Sequence, residues 1–393
     1  MVESGMKKPG VLVLDGMWNK TLSAVRSLGQ KGIKVAVGEA TRLTTSHFSR
    51  YASRRLVYPS PIARPDAFMN WLLSELKAGS YEMVLPTEFS TQQLIAGNVK
   101  HISPLTGFPF PPYELAQKVH DKAWLMKFAV QKGYPAPKTF FVEDIEELEG
   151  IANRVSYPAV IKPKESSGSR GIMYVKDRGS FRDNYLSVHS KYPYPLVQEY
   201  IPASEGGGCG VAALFNMKGE PRVGFVYKRL REYPVSGGPS TLRESIRDER
   251  LRDTAFSILK DLNWVGPAMV EFRKDPRDNT YKLLEINPRL WGSLSLSVLS
   301  GVDFPFLLYM LAKIGDCEEV LEYRAGVRCR WLIPGDIMHL MATKDKRKAL
   351  RNFFERADGY DILSLHDPLP VVGRLSSLIP FLFNREMRKL VFR

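Results

Sequence analysis

At 393 residues the chain is long enough for two to four lobes, and its 44% hydrophobic and 25% charged residues are ordinary for a globular protein. No low-complexity stretch, fixed-period repeat, signal-peptide core or run of about 18 apolar residues occurs, so neither a repeat architecture nor a membrane-spanning helix is predicted. Three scattered cysteines (Cys209, Cys317, Cys329) speak against a disulfide framework or zinc cluster and for a reducing cytoplasm, while a net charge of +14 suits anionic ligands.

Residues 1–112 read as a lobe of alternating strands and helices. Val11–Leu14 is a short apolar run suited to a buried parallel strand, Thr21–Leu28 has helical spacing, Lys34–Val37 is a second strand, Phe68–Leu76 a helix and Met83–Leu85 a strand. This βαβ pattern predicts a parallel, doubly wound sheet. Asp15 and Gly16 follow the first strand, where such sheets bind ligands, but no GxGxxG follows it. Thr87 and Glu88 end the third strand and read either as site-lining residues or as the cap of the next helix. Arg50, Arg54 and Arg55 form one basic cluster, Lys344, Lys346, Arg347, Lys348 and Arg351 another; both read as solvated surface.

Pro104–Pro112 reads as a linker, followed by a helix over His120–Lys132 that Gly133 closes. The middle lobe, residues 113–200, has strands at Ala159–Lys162, Ile172–Val175 and Leu196–Ile201. The first two flank a loop holding Ser166, Ser167, Gly168, Ser169 and Gly171, whose backbone N–H groups can fold over phosphates. Lys162 ends an otherwise apolar strand and needs an anionic partner; Lys122, at the start of its helix, is a second such lysine or an ordinary surface one. Where Gln198–Ile201 breaks into Pro202, unpaired backbone groups can meet a purine. Glu205 reads either as a ribose ligand or as an exposed loop glutamate.

Residues 201–315 form a third lobe with strands at Val211–Phe215, Val223–Tyr227, Ala268–Phe272 and Lys282–Ile286, and helices at Asp248–Leu262 and Ser293–Leu299. The last two strands flank Asp275-Pro-Arg-Asp-Asn279, strong turn chemistry, and form an antiparallel hairpin. Glu271 and Glu285 are symmetric about residue 278 and so face each other, with Asn287 two positions on and on the same face. Val270, Phe272, Leu284 and Ile286 take the core face. Opposed carboxylates repel unless a cation sits between them, and two carboxylates plus an amide oxygen suit Mg²⁺ or Mn²⁺. The plainer reading is a solvated acidic face with Arg273 or Lys282 as neighbours.

In order, His120-Asp-Lys122, Tyr157-Pro-Ala-Val-Ile-Lys162, the Ser166–Gly171 loop, Val197-Gln-Glu-Tyr-Ile201, Glu271 and Glu285-Ile-Asn-Pro-Arg289 resemble the ATP-grasp superfamily over residues 10–315. The resemblance implies a Rossmann-like N-terminal lobe and two α+β lobes that grip ATP. It implies that Lys122 and Lys162 hold phosphates, that Gln198, Glu199 and Ile201 meet adenine and that a residue near Glu205 meets ribose. It further implies that Glu271, Glu285 and Asn287 bind magnesium and that Arg289 steadies the transferred phosphoryl group. Gly206–Gly208 departs from the commoner spacing there, which weakens the ribose assignment.

The segment Arg229–Ser240, with Arg243 after it, looks like a branch of ATP-dependent carboligases that includes carboxylate–amine ligases such as D-aspartate ligase. Its Arg229, Arg231, Ser236, Gly237, Gly238 and Arg243 have the chemistry to hold a carboxylate. The implied reaction joins a small-molecule carboxylate to an amine at the expense of ATP. The competing classes are a nucleotide-binding regulator without turnover and a nucleic-acid binder, for which no helix-turn-helix, zinc or RNA-recognition signature is present. Residues 316–393 form an extension of no assigned class. Its end, 371–393, mixes apolar residues with basic ones and reads either as an amphipathic helix on an anionic membrane or as one docked on the protein's own core.

Overall fold

The computed structural model describes residues 10–166, 168–202, 207–235 and 237–383. The first lobe is a four-stranded sheet, ordered Ala52–Val57, Val35–Glu39, Val11–Val13, Met83–Leu85, with every pair parallel. Alternation sends Val11, Val13, Val35 and Val37 to the face covered by the helix Asn19–Gln30, and Leu12, Leu14 and Ala36 to the face covered by Pro65–Gly79. The strand Ala52–Val57 falls on the predicted basic cluster. It is an edge strand, and its exposed Arg54 pairs with Glu75 at 2.8 Å, so the solvated charge there lies along a sheet edge.

The helix predicted over His120–Lys132 stands at Lys122–Lys132, where Asp121 caps it by accepting from the N–H of Ala123 (2.7 Å) and Trp124 (3.3 Å), and a further helix that was not predicted, Tyr113–His120, precedes it. A small antiparallel sheet follows, ordered Thr139–Phe140, Leu196–Glu199, Ala159–Lys162, Met173–Val175. With the helices Leu148–Ala152 and Phe181–His189 it encloses its own core around Ile151, Ile161, Phe181, Tyr185 and Val197.

The third sheet has seven strands: Tyr281–Asn287, Gly266–Lys274, Gly208–Phe215, Pro221–Glu232, Ser240–Ile246, Arg328–Arg330 and Gly359–Tyr360. Two of its features differ from the sequence reading. Pro221–Glu232 and Ser240–Ile246 pair antiparallel, so Arg229, Arg231 and Arg243 stand on strands and only the segment between them turns. The last two strands come from the 316–393 extension, which therefore completes this sheet instead of following it.

One face of the large sheet shares a core with the first lobe. Ala212, Leu214, Phe225 and Trp291 pack in the same cluster as Val11, Val25 and Leu28. Ser23 and Ser295 share a hydrogen bond of 2.6 Å, and Ser27 bonds Asp303, across the same contact. The other face packs on the helices Glu249–Asp261 and Lys122–Lys132. The helix Pro370–Phe383 lies back on the first lobe, where an added Cβ on Gly373 would stand 2.7 Å from Phe48 and 2.9 Å from the Thr44 carbonyl. Among the described residues no single helix is long and apolar enough to cross a membrane.

Candidate active site

The hairpin Gly266–Lys274 / Tyr281–Asn287 sets the site. Glu271 and Glu285 are register partners, and a bulge follows immediately. That bulge pairs Phe272 with Leu283, so Leu283 is fully buried where a symmetric hairpin would bury Leu284. The Asn287 Nδ2 donates to Glu285 at 3.0 Å and reaches Glu271 at 3.5 Å, so all three side chains converge. Lys282 does not join them; it pairs with Asp278 at 2.7 Å.

Two cations balance the acidic pair. Arg229 meets Glu271 at 2.5 Å and Lys122 meets Glu285 at 3.4 Å. Burial and the neighbouring Glu285 charge push the Glu271 carboxyl up, against the Arg229 guanidinium. Burial acts the same way on Glu285, but the Lys122 ammonium, the Asn287 amide and the guanidiniums of Arg229 and Arg289 outweigh it and hold Glu285 well below the usual carboxylate range. The donor set fits a hard divalent cation: two carboxylates and an amide whose Oδ1 is available once the group turns over. Among the described residues no group of three or more His, Cys, Asp or Glu could hold a metal ion.

Lys122 ties the hairpin to the Ser/Gly loop. Its Nζ also donates to the Ser166 carbonyl at 2.7 Å, and its backbone N–H to Lys164 O at 2.9 Å. Beyond Ser166, Gly168 (φ 64°), Ser169 (φ 60°) and Gly171 (φ 74°) are left-handed, a backbone conformation that glycine adopts without strain. Gly171 is sterically required, since a Cβ there would sit 2.6 Å from Tyr192 and 2.7 Å from Pro163. Ser167, Glu205 and Ser236 lie outside the described residues. Lys162 makes no ion pair among the described residues. Desolvation, with the Lys122 charge beside it, lowers its ammonium to about 8.

The purine-side residues are held by neighbours. Gln198 is buried and donates to Thr139 Oγ1 at 2.9 Å; Glu199 accepts from the Lys138 N–H at 2.8 Å and from Arg277 at 2.9 Å. Ile201 is buried. Their side chains therefore hold the place where the strand breaks.

Arginines of the predicted substrate segment separate into two groups. Arg229 belongs to the acidic pair. Arg243 is only 1% exposed and pairs with Asp361, and Arg231 pairs with Asp336 at 3.1 Å; both partners lie in the C-terminal extension. A fully buried guanidinium cannot reach a diffusing carboxylate, so Arg243 is corrected to a structural residue and Arg231 to one largely committed to Asp336. Gly237 places the tip of the turn beside the Tyr174 hydroxyl of the small lobe. At Gly238 an added Cβ would fall 2.2 Å from the Tyr233 carbonyl.

A further charged group escaped the sequence reading. Lys20, 5% exposed, meets Glu88 at 2.6 Å and donates to the Leu290 carbonyl at 3.3 Å, next to Arg289. Burial pushes the Glu88 carboxyl up, but Lys20, Arg289 and Arg170 together hold it below its ordinary value. Asp15 fixes this loop by accepting from the N–H groups of Thr87 (2.9 Å) and Glu88 (2.8 Å) and from Thr91 Oγ1 (2.7 Å). Thr87 and Glu88 thus end at the site's edge, with neither side chain capping the next helix. Lys20 sits in the first turn of an unremarkable helix, and no local pattern marks it.

A family described as ATP-grasp in the biosynthetic pathway with Ter operon matches residues 196–333, which include the hairpin. The carbamoyl phosphate synthase large chain of Methanothermobacter thermautotrophicus is 24% identical over 289 residues, 70% of this chain and 26% of that one. The C-terminal section of the corresponding protein from Methanopyrus kandleri is 25% identical over 209 residues, 50% of this chain and 36% of that one. The chain therefore spans only about a quarter to a third of the curated relatives it matches.

Among solved structures, biotin carboxylase of Campylobacter jejuni in complex with β,γ-ATP superposes with a TM-score of 0.68 at 16% identity, covering 81% of this chain and 74% of that one. L-amino acid ligase of Bacillus licheniformis superposes with a TM-score of 0.60 at 17% identity, covering 79% and 76%. The chain has the ATP-grasp fold. The family match falls on the part of that fold that carries the hairpin.

Proposed function

We propose that the chain is an ATP- and Mg²⁺-dependent ligase that activates a small-molecule carboxylate as an acyl phosphate and joins it to an amine. The observation that carries this reading is the convergence of Glu271, Glu285 and Asn287 on one hairpin face, tied through Lys122 to the Ser/Gly loop. Mg²⁺ held by that face would neutralise charge on the ATP phosphates. Lys122 and Lys162 orient the phosphates, the Ser166–Gly171 backbone covers them, and Arg289 faces the transferred group from the edge shared with Lys20 and Glu88. The γ-phosphoryl passes to a carboxylate oxygen as its bond to the bridging oxygen of ADP breaks. The amine nitrogen then attacks the acyl carbon and expels phosphate. Such transfer needs positioning and charge neutralisation rather than a protein nucleophile.

The test is an ADP-release screen with MgATP over amino acids and sugar acids. One carboxylate–amine pair should raise ADP formation at least about tenfold over the substrate-free rate. Tight ATP binding with no ADP formation under any pair favours a nucleotide-binding regulator and sinks the ligase reading.

Lys162 gives the site a pH signature. Its pKa of about 8 in the free protein lies below the ordinary lysine value. Phosphates favour the charged form, so binding raises that pKa. Nucleotide binding should therefore take up a proton above pH 8 and weaken as pH rises further. Calorimetry in buffers of different ionisation enthalpy should show this uptake at about pH 9. A Lys162→Arg protein, charged throughout, should show none; uptake unchanged in that variant removes Lys162 from the phosphate site.

A further inference from the structure

The helix Pro370–Phe383 presents small and polar residues to the protein over its described first half, Pro370–Ser377. Pro370, Gly373 and Ser377 face the protein, with Ser377 only 3% exposed and Gly373 against Phe48 and Thr44. Arg374 anchors this inward side by donating to the Met17 carbonyl at 3.0 Å and to Asn19 Oδ1 at 2.6 Å. Apolar side chains at the start of the helix point the other way. Val372 and Leu375 are each 51% exposed, Leu369 is 57% exposed, and Leu365, just ahead of the helix, is 98% exposed. Leu43, beside the Thr44–Phe48 turn that receives the helix, is 47% exposed. A helix packed by hydrophobicity alone would bury this face and expose the other.

The surroundings of the ridge are basic. Arg42 and Arg50 are exposed at the two ends of the turn under the helix, and Arg50 donates to the His366 carbonyl. The nearby carboxylates do not offset them. Asp361 and Asp367 are buried, and pair with Arg243 and with Arg26 at 2.9 Å. In sequence, Arg385, Arg388, Lys389 and Arg393 follow the helix with Glu386 as the only acid among the last ten residues. At 14 residues the helix is too short to span a bilayer, which needs about 20.

We propose that this face docks on the surface of an anionic lipid bilayer, with Leu365, Leu369, Val372 and Leu375 entering the headgroup boundary and the flanking arginines meeting lipid phosphates. A bilayer, and not a peptide or a second protein surface, is favoured because the leucines form a raised ridge with a basic rim, and the tail adds cations rather than a complementary acidic patch. The docking leaves the hairpin site untouched.

The experiment is co-sedimentation of the full chain with phosphatidylcholine vesicles, with and without phosphatidylglycerol. At about 0.1 M salt the bound fraction should be at least about tenfold higher on the anionic vesicles, and should fall steeply at about 0.5 M. A triple variant, Leu369→Asp, Val372→Asp and Leu375→Asp, alters only outward side chains and should lose about tenfold in vesicle binding while keeping its nucleotide affinity. Three results overturn the proposal: equal binding to neutral vesicles, binding to neither, or unchanged binding by the triple variant. If the wild type instead self-associates and the triple variant is monomeric, with vesicle binding absent, the face belongs to a second copy of the chain.

Discussion

A Glu285→Ala protein should lose at least about a hundredfold in MgATP-dependent ADP formation, about 2.7 kcal/mol of barrier, while unfolding within about 1 kcal/mol of wild type. The two effects separate because Glu285 serves charge rather than packing. Its removal leaves Glu271 paired with Arg229 and leaves Lys122 bonded to the Ser166 carbonyl. It also relieves the repulsion between register partners. What disappears is half of the carboxylate pair that a divalent cation needs. A coupled ADP assay across a magnesium titration, run beside thermal unfolding, measures both. Asn287→Ala should weaken the magnesium response by a smaller factor, about tenfold. Full nucleotide-dependent turnover in either variant removes these residues from the metal site.

An Asp361→Ala protein should instead lose about 3–5 kcal/mol of stability, because it strands the fully buried Arg243 without a counter-charge. The same carboxylate also meets Cys329 Sγ at 3.5 Å and Asn19 at 3.4 Å, so the loss loosens the sheet edge and the first lobe together. Urea unfolding gives the measurement. Replacing both partners with apolar residues, Arg243→Met with Asp361→Leu, should recover most of the loss, since a well-packed apolar pair avoids desolvating two charges. If Arg243→Met lowers substrate affinity without lowering the unfolding midpoint, Arg243 binds substrate after all and its structural assignment is wrong.

The parts of the site legible in the sequence are those with short-range logic. Glu271 and Glu285 face each other because a turn fixes their register, and Asn287 joins them through a period of two. The bulge after Glu271 was not legible, since alternation around a symmetric turn favours Leu284 over Leu283 as the core residue. Lys162 betrayed itself as a lysine in an apolar strand, whereas Lys20 looked like any helical lysine until Glu88, from a separate strand end, came beside it. Arg243 and Asp361 are 118 residues apart, and nothing near Arg243 announces that its partner lies in the extension. With that partner unseen, a buried arginine and a substrate-binding one read alike. The doubly wound first lobe was predictable from its apolar runs, but its edge strand was hidden by the charges that protect it.

The separate core of the small lobe has a mechanical consequence. The first lobe and the large sheet are fused by shared apolar packing, whereas the small lobe has a core of its own and is tied to them by polar links that include Arg277 to Glu199 and Lys122 to the Ser166 carbonyl. Swinging it outward breaks charged contacts and leaves its own interior intact. Added salt is therefore expected to screen the Arg277–Glu199 pair and loosen the small lobe's attachment before it disturbs either apolar core.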